Sequence, residues 1–325
     1  MSVFPEIQLS EFALDVAHGL SAKGQKRLSA QYFYDDLGSA LFEAITFLPE
    51  YGLTRADERV LRRCSYDLRS ETGPVHLVSE LGSGSGTKTA HVLQVLAQES
   101  DNLRYRPIDV SATALALCEK QLDHLARVEP VRADWLDGLA QISERGSRNE
   151  PMLVLFLGSS IGNLERSSLR AFFDRVHAEL LPGDFLLLGA DLVKPIDTMI
   201  SAYDDAPGVT AAFNLNLLGR INRELGANFD LRSFAHEVRW NEIERRIEMH
   251  LLSLRRQQVF IRDLGKFSFE AGETIWTESS HKFIEEELKA YASASGFDTV
   301  KTWTDVEWPL AETLWKRRPD DILIR

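Results

Sequence analysis

From about Val75 to Leu192 the chain alternates short apolar runs with stretches of helical periodicity, and this alternation constrains the fold more than any other feature. The apolar runs are 75–79, 105–109, 130–133, 152–157 and 185–189. Between them, 87–98, 111–126 and 167–181 place apolar residues three and four apart, the spacing of one helix face. Strands that alternate with helices need crossover connections, which gives a parallel sheet with helices on both faces. The runs at 152–157 and 185–189 are the most continuously apolar, so they are expected at the centre of that sheet, buried on both sides.

The flanks read differently. Residues 8–17, 39–47 and 54–69 are helical in pattern, the last capped by Thr54, with no strand among them. After Lys194-Pro195, helical stretches reach Leu225 and strand-like runs follow at 238–240, 247–254 and 258–261. Residues 283–293 are helical again, and 299–303 and 322–324 are expected as terminal strands. The expected organisation is an α/β, doubly wound domain over 58–193, completed by 284–325. An α+β unit over 194–283 interrupts it, and 1–57 packs on that insertion.

A net charge of −12, with basic residues only in short groups such as Lys316-Arg317-Arg318, argues against a nucleic-acid partner, which needs clustered Lys and Arg to neutralise phosphates. No basic run followed by an apolar stretch opens the chain, and no apolar window approaches the roughly 20 residues of a membrane span. A cytoplasmic protein acting on small solutes is expected, with no membrane partner. Cys64 and Cys118 stand apart from any Cys-x-x-Cys pair and are expected to pack. The eight histidines show no ligand spacing, so no metal is expected.

At Glu80-Leu81-Gly82-Ser83-Gly84-Ser85-Gly86 an expected strand ends in a glycine turn and a helix follows. Glycines let the chain turn tightly and let a ligand approach the backbone. Asp109 closes the next strand, where a carboxylate can accept from both hydroxyls of a ribose. The pair reads as a nucleoside half-site, although glycine turns are common and an Asp there can equally cap a helix. The spacing matches neither Gly-x-Gly-x-x-Gly nor the P-loop. It resembles instead the first motif of Rossmann-like S-adenosylmethionine-dependent methyltransferases. Asp134 and Trp135 then fall where an adenine amino group and ring face would lie. Leu157-Gly158-Ser159-Ser160 ends the fourth strand, where the methyl group would point.

Longer segments are more specific. Tyr32-Phe33-Tyr34-Asp35-Asp36-Leu37-Gly38-Ser39, Leu48-Pro49-Glu50-Tyr51, Leu157-Gly158-Ser159-Ser160-Ile161-Gly162-Asn163 and Ala202-Tyr203-Asp204-Asp205 resemble the histidine-specific N-alpha-methyltransferases of ergothioneine biosynthesis. So do Gly208 to Asn214, Glu248-Met249 and Thr277-Glu278-Ser279-Ser280-His281-Lys282-Phe283. The resemblance implies an enzyme that transfers methyl groups from S-adenosylmethionine to the α-amino group of L-histidine, ending at N,N,N-trimethylhistidine (hercynine) and releasing S-adenosylhomocysteine, without a metal. It implies an inserted substrate-binding domain over a Rossmann-like methyltransferase sheet. Asn163 and Tyr203 match residues that hold the substrate carboxylate, Tyr34 the catalytic tyrosine near the amino group, and Tyr51, Glu278 and Ser280 those around the imidazole. Met249 lines that pocket, and Gly158 lies on the substrate side. Gly82, Lys88, Asp109, Asp134 and Trp135 match cofactor-binding positions, with Trp135 where the family's usual residue is phenylalanine. From the residues alone, Tyr34 and Tyr51 also read as half-buried packing tyrosines, and Asn163 and Glu278 as helix caps. Another free amino acid such as tryptophan or tyrosine, or a non-catalytic adenosyl-ligand sensor, are the competing functions.

Overall fold

The structure, a computed structural model, describes residues 9–98, 100, 102–143 and 151–320. It divides into two compact units, and the chain crosses between them at Gly52/Leu53, Lys194/Pro195 and Ser280/His281. The first crossing precedes the expected boundary at 57 because Leu53–Thr72 is one continuous helix. Leu53, Ala56, Val60, Leu61, Cys64 and Leu68 carry its buried stripe, so Thr54 lies inside the first turn instead of capping it.

The unit formed by Leu53–Lys194 and the C-terminal segment contains the large sheet. Its strand order is Phe297–Thr304, Leu310–Arg317, Phe185–Asp191, Met152–Phe156, Leu77–Leu81, Arg104–Asp109, Arg127–Val128, with Val131–Arg132 also pairing on Arg104–Asp109. Strands 77–81, 104–109, 152–156 and 185–191 are parallel, and Leu310–Arg317 runs antiparallel against Phe185–Asp191. Every residue of 77–81, 152–156 and 185–191 is buried, as expected for strands covered on both faces. This is the doubly wound α/β sheet expected from the alternation. One face packs Leu77, Leu81, Val154, Phe156, Leu186, Leu188 and Trp315 against helices Trp135–Ser143, Arg166–Glu179 and Glu285–Ala294. Residues of opposite parity, among them Glu80, Gly189 and Glu312, point to the other face. Of the expected terminal strands, 299–303 falls within Phe297–Thr304, and 322–324 lie outside the described residues. Leu310–Arg317 is an additional strand, its buried Glu312 having disguised it in the sequence.

The sheet order reverses beside Leu77–Leu81. Later strands add on one side at 104–109 and on the other at 152–156, so the carboxyl ends of 77–81 and 152–156 flank a topological switch point, where open α/β sheets bind ligands.

The other unit is α+β. Helices Glu11–Leu20, Asp36–Thr46, Ile196–Ser201 and Val209–Leu225 accompany a four-stranded sheet in the order Lys26–Arg27, Thr274–His281, Arg246–Ser253, Phe234–Asn241. Lys26–Arg27 pairs parallel with Ile275 and Trp276, so the N-terminal segment does contribute a strand, two residues too short to show a period. Gln257–Ile261 and Gly265–Phe269 form a separate hairpin.

Candidate active site

In the large-sheet unit, the glycine turn follows strand 77–81 with Gly82, Gly84 and Gly86 all at positive φ, between 53° and 74°. A side chain is strained there, and at Gly86 a Cβ would meet Leu122 Cδ1 at 2.6 Å and Cys118 Sγ at 2.7 Å. Asp109 ties the turn to the next strand: its Oδ2 accepts from Gly84 N at 3.0 Å and its Oδ1 from Ser111 N at 2.8 Å. A carboxylate has about four acceptor positions, so these bonds leave Asp109 capacity for ribose hydroxyls while ordering the turn. Asp134 accepts from Leu136 N and Asp137 N, both at 3.0 Å and both at Oδ1, capping the helix that begins at Trp135. The Trp135 ring packs edge-on against Phe156 and Phe172, with centroids at 4.8 and 6.3 Å, and its Nε1 reaches over Gly82. A flat aromatic wall, a glycine floor and two strand-end carboxylates thus converge, which fits an adenosyl group.

The fourth strand ends in two consecutive left-handed residues, Gly158 at φ 71° and Ser159 at φ 58°. Ser159 pays for that conformation with a hydrogen bond, its Oγ accepting from Asp191 N at 2.8 Å. Lys88 Nζ lies beside Gly158, 3.0 Å from where a Cβ would stand. Its ammonium is paired with the buried Asp57. Burial acts to lower the Lys88 value, but the charge and hydrogen bond of Asp57 outweigh it and hold the lysine above its ordinary range. Asn163 is exposed at the end of the single turn Ser160–Asn163, and the following helix starts at Arg166 with Glu165 as its cap residue, so Asn163 is not that cap.

In the α+β unit, strand Thr274–His281 carries Glu278 and Ser280, which as i, i+2 residues share a face. Ser280 Oγ and Tyr203 OH lie 2.7 Å apart, both buried. Tyr51 sets its ring edge-on to Tyr203 at 6.2 Å and to Phe42 at 6.5 Å. Tyr34 is 41% exposed and packs edge-on against Phe42 and Phe213. Buried Met249 is on the neighbouring strand, its carbonyl accepting from Thr277 Oγ1 at 3.0 Å. Half-buried Glu278 accepts at its main-chain oxygen from Trp276 Nε1 at 2.8 Å. The helix cap expected as an alternative for Glu278 is taken by Glu287, whose Oε2 accepts from Ile284 N.

Sequence reasoning overlooked the acids around Lys88. Glu80 Oε2 accepts from Thr89 Oγ1 at 2.6 Å and from Tyr105 OH. Burial pushes Glu80 up to about 7 against those two bonds. Glu312, wholly buried, completes the group, and the one signal for it was a charge inside the apolar run 310–315. Cys64 and Cys118 are free and buried, and burial pushes the Cys118 thiol up to about 12. Among the described residues no group of three or more His, Cys, Asp or Glu is arranged to hold a metal, and no helix is long and apolar enough to cross a membrane.

The switch-point glycine turn with its acidic strand ends defines a Rossmann-like methyltransferase, and a solved structure agrees on the fold. A candidate methyltransferase from Thermobifida fusca aligns over 93% of this chain and 98% of its own at a TM-score of 0.51, with 13% identity. The particular family follows from sequence: the model of the S-adenosylmethionine-dependent histidine-specific methyltransferases matches residues 12–317, and the chain belongs to that family. Histidine N-alpha-methyltransferases of Mycobacterium tuberculosis and Mycolicibacterium smegmatis are each 41% identical to it over 295 residues, 90% of either chain.

Proposed function

We propose that the protein is a cytoplasmic enzyme that methylates the α-amino group of L-histidine three times, giving hercynine, the first step of ergothioneine biosynthesis. Its partner is the free amino acid, in keeping with a net charge of −12 that disfavours nucleic acid. The observation that carries this reading is the buried hydroxyl pair of Tyr203, whose ring is edge-on to Tyr51, with Ser280, whose strand also bears Glu278. A carboxylate and a hydroxyl two residues apart on one strand face suit the two nitrogens of an imidazole.

Bound S-adenosylmethionine would supply a methyl group activated by its sulfonium, open to in-line attack by an amine lone pair with the thioether as leaving group. The chain holds the adenosyl part with Trp135, Asp134, Asp109 and the Gly82 turn, and meets the methionine carboxylate with Lys88. By resemblance to the family, Asn163 and Tyr203 are each assigned to the amino acid carboxylate, which is common to every substrate. Tyr34 accepts a hydrogen bond from the α-amino group once that group has lost its proton, and so aims the lone pair. Positioning of this kind supplies most of the rate. The nitrogen gives up one proton before each transfer, three in all, and each methyl gained would leave the cofactor as S-adenosylhomocysteine. The series stops at the quaternary amine, which has no lone pair.

Purified protein incubated with S-adenosylmethionine and the twenty amino acids is expected to yield trimethylated histidine as the dominant product by mass spectrometry. Methylation of tryptophan or tyrosine in preference to histidine would overturn the substrate assignment.

A further inference from the structure

Around Lys88 the large-sheet unit buries three carboxyl groups from three elements: Asp57 from helix Leu53–Thr72, Glu80 from strand Leu77–Leu81 and Glu312 from strand Leu310–Arg317. All are on the sheet face opposite the large apolar core. Strand pairing sets Glu312 opposite Gly189, and a Cβ at Gly189 would lie 2.5 Å from Glu312 Oε1 and 3.3 Å from Gly158 N. Lys88 Nζ stands beside the same Gly158. Lys88 therefore stands beside Gly158, and Glu312 beside Gly189, whose Cβ position lies against Gly158 N.

One ammonium cannot neutralise three ionised carboxylates that are themselves buried, since each unpaired buried charge costs several kcal/mol. The hydrogen bonds show where the protons lie. Glu80 receives two donors, from Thr89 and Tyr105. Asp57 Oδ2 receives Lys88. Asp57 Oδ1 and both oxygens of Glu312 receive no donor, and Glu312 meets Asp57. Two facing carboxyl groups without a donor between them are stable only when one carries a proton and donates it to the other.

We infer that Glu312 is a neutral acid that donates to Asp57 Oδ1, and that the ionised Asp57, so held, fixes the Lys88 ammonium beside Gly158. Asp57 and Glu312 are then positioning residues for cofactor binding, acting through Lys88. The inference rests on the proposed reading of Lys88 as a ligand of the cofactor carboxylate. The groups that face Glu312 agree with it. Burial first, then the Asp57 charge and the bond to Asp57, hold Glu312 well above the carboxylate range, against the pull of Lys88, with Glu80 adding to the rise. Cys64, on the same helix as Asp57, stays a neutral thiol because burial and the nearby acids raise it.

Calorimetry of S-adenosylmethionine binding tests the arrangement. Lys88→Ala should raise Kd about tenfold or more, and an unchanged Kd would remove Lys88 from the site and the inference with it. Asp57→Asn should raise Kd by about the same factor and leave KM for the amino acid substrate in place. If Lys88→Ala weakens binding and Asp57→Asn does not, the lysine reading stands and the positioning inference falls. Glu312→Gln, whose amide can still donate to Asp57, should stay within about threefold of wild type, whereas Glu312→Ala should lose about tenfold. Equal losses in both would mean that an ionised Glu312 is required, and would overturn the proposal. A readout on the wild-type protein covers variants that fail to fold. Infrared spectra with 13C-labelled glutamate, taken about two pH steps above the value of Glu80, should retain the stretch of one protonated glutamic acid, and its absence would refute the pair.

Discussion

On the proposed reading, Glu278 sets the substrate choice. It is half-buried on a strand whose neighbours on the same face, Trp276 and Ser280, are buried, so its carboxylate has limited access to water. An imidazole N–H would pair with it, whereas an indole would leave it desolvated and partly paired, at a cost of a few kcal/mol. Glu278→Ala should therefore lower kcat/KM for histidine about 10²-fold, from the loss of a charge-assisted bond and of orientation, and should raise activity on tryptophan. Steady-state kinetics with both amino acids decide the matter. Unchanged histidine kinetics with negligible tryptophan turnover would take Glu278 out of the pocket.

At the scale of elements, the glycine turn is held by its neighbours as much as by its own residues. Gly86 packs against Leu122 and Cys118 of the helix Ala112–Leu122, while Gly84 donates to Asp109 at the end of the second strand. The turn, that helix and that strand end are one mechanical piece. Gly86→Ala should cost about 2 kcal/mol or more, combining left-handed strain at φ 74° with the clash on Leu122 and Cys118. Urea unfolding would register the loss directly. A variant as stable as wild type would mean that the turn relaxes independently of the helix. Strand ends were visible in the sequence because apolar runs stop at them. The partners of the turn were not, because Leu122 and Cys118 read as ordinary helix residues until the helix is docked.

For the molecule as a whole, the buried acids make stability depend on pH. Glu80 has a folded value of about 7, above the ordinary 4.5 that it has in the unfolded chain. The folded state thus holds that proton more tightly, so the associated stability is full below the ordinary value and is lost as pH rises to about 7 and beyond. The amount is on the order of 3 kcal/mol. Glu312 is raised in the same direction, so its contribution declines with the same sign. Urea midpoints measured from about pH 5 to about pH 8 should fall with pH, and Glu80→Gln should make that fall shallower. An identical slope in the variant would show that Glu80 is ionised throughout.

Periodicity alone determined the doubly wound sheet and its central strands, because burial on both faces demands unbroken apolar runs such as 152–156 and 185–191. Local motifs likewise marked the Gly82 turn, Asp109, and the pairing of Glu278 with Ser280 on one face, since each depends on residues near one another in the chain. Only the tertiary structure decided what joins distant segments. The parallel pairing of Lys26–Arg27 with residues 275 and 276, the hydroxyl contact of Tyr203 with Ser280, and the gathering of Asp57, Glu80 and Glu312 around Lys88 all cross long stretches of sequence. The physical reason is the same in each case. A buried polar group is tolerated only where the fold supplies its partner, and that partner is chosen by packing rather than by spacing along the chain.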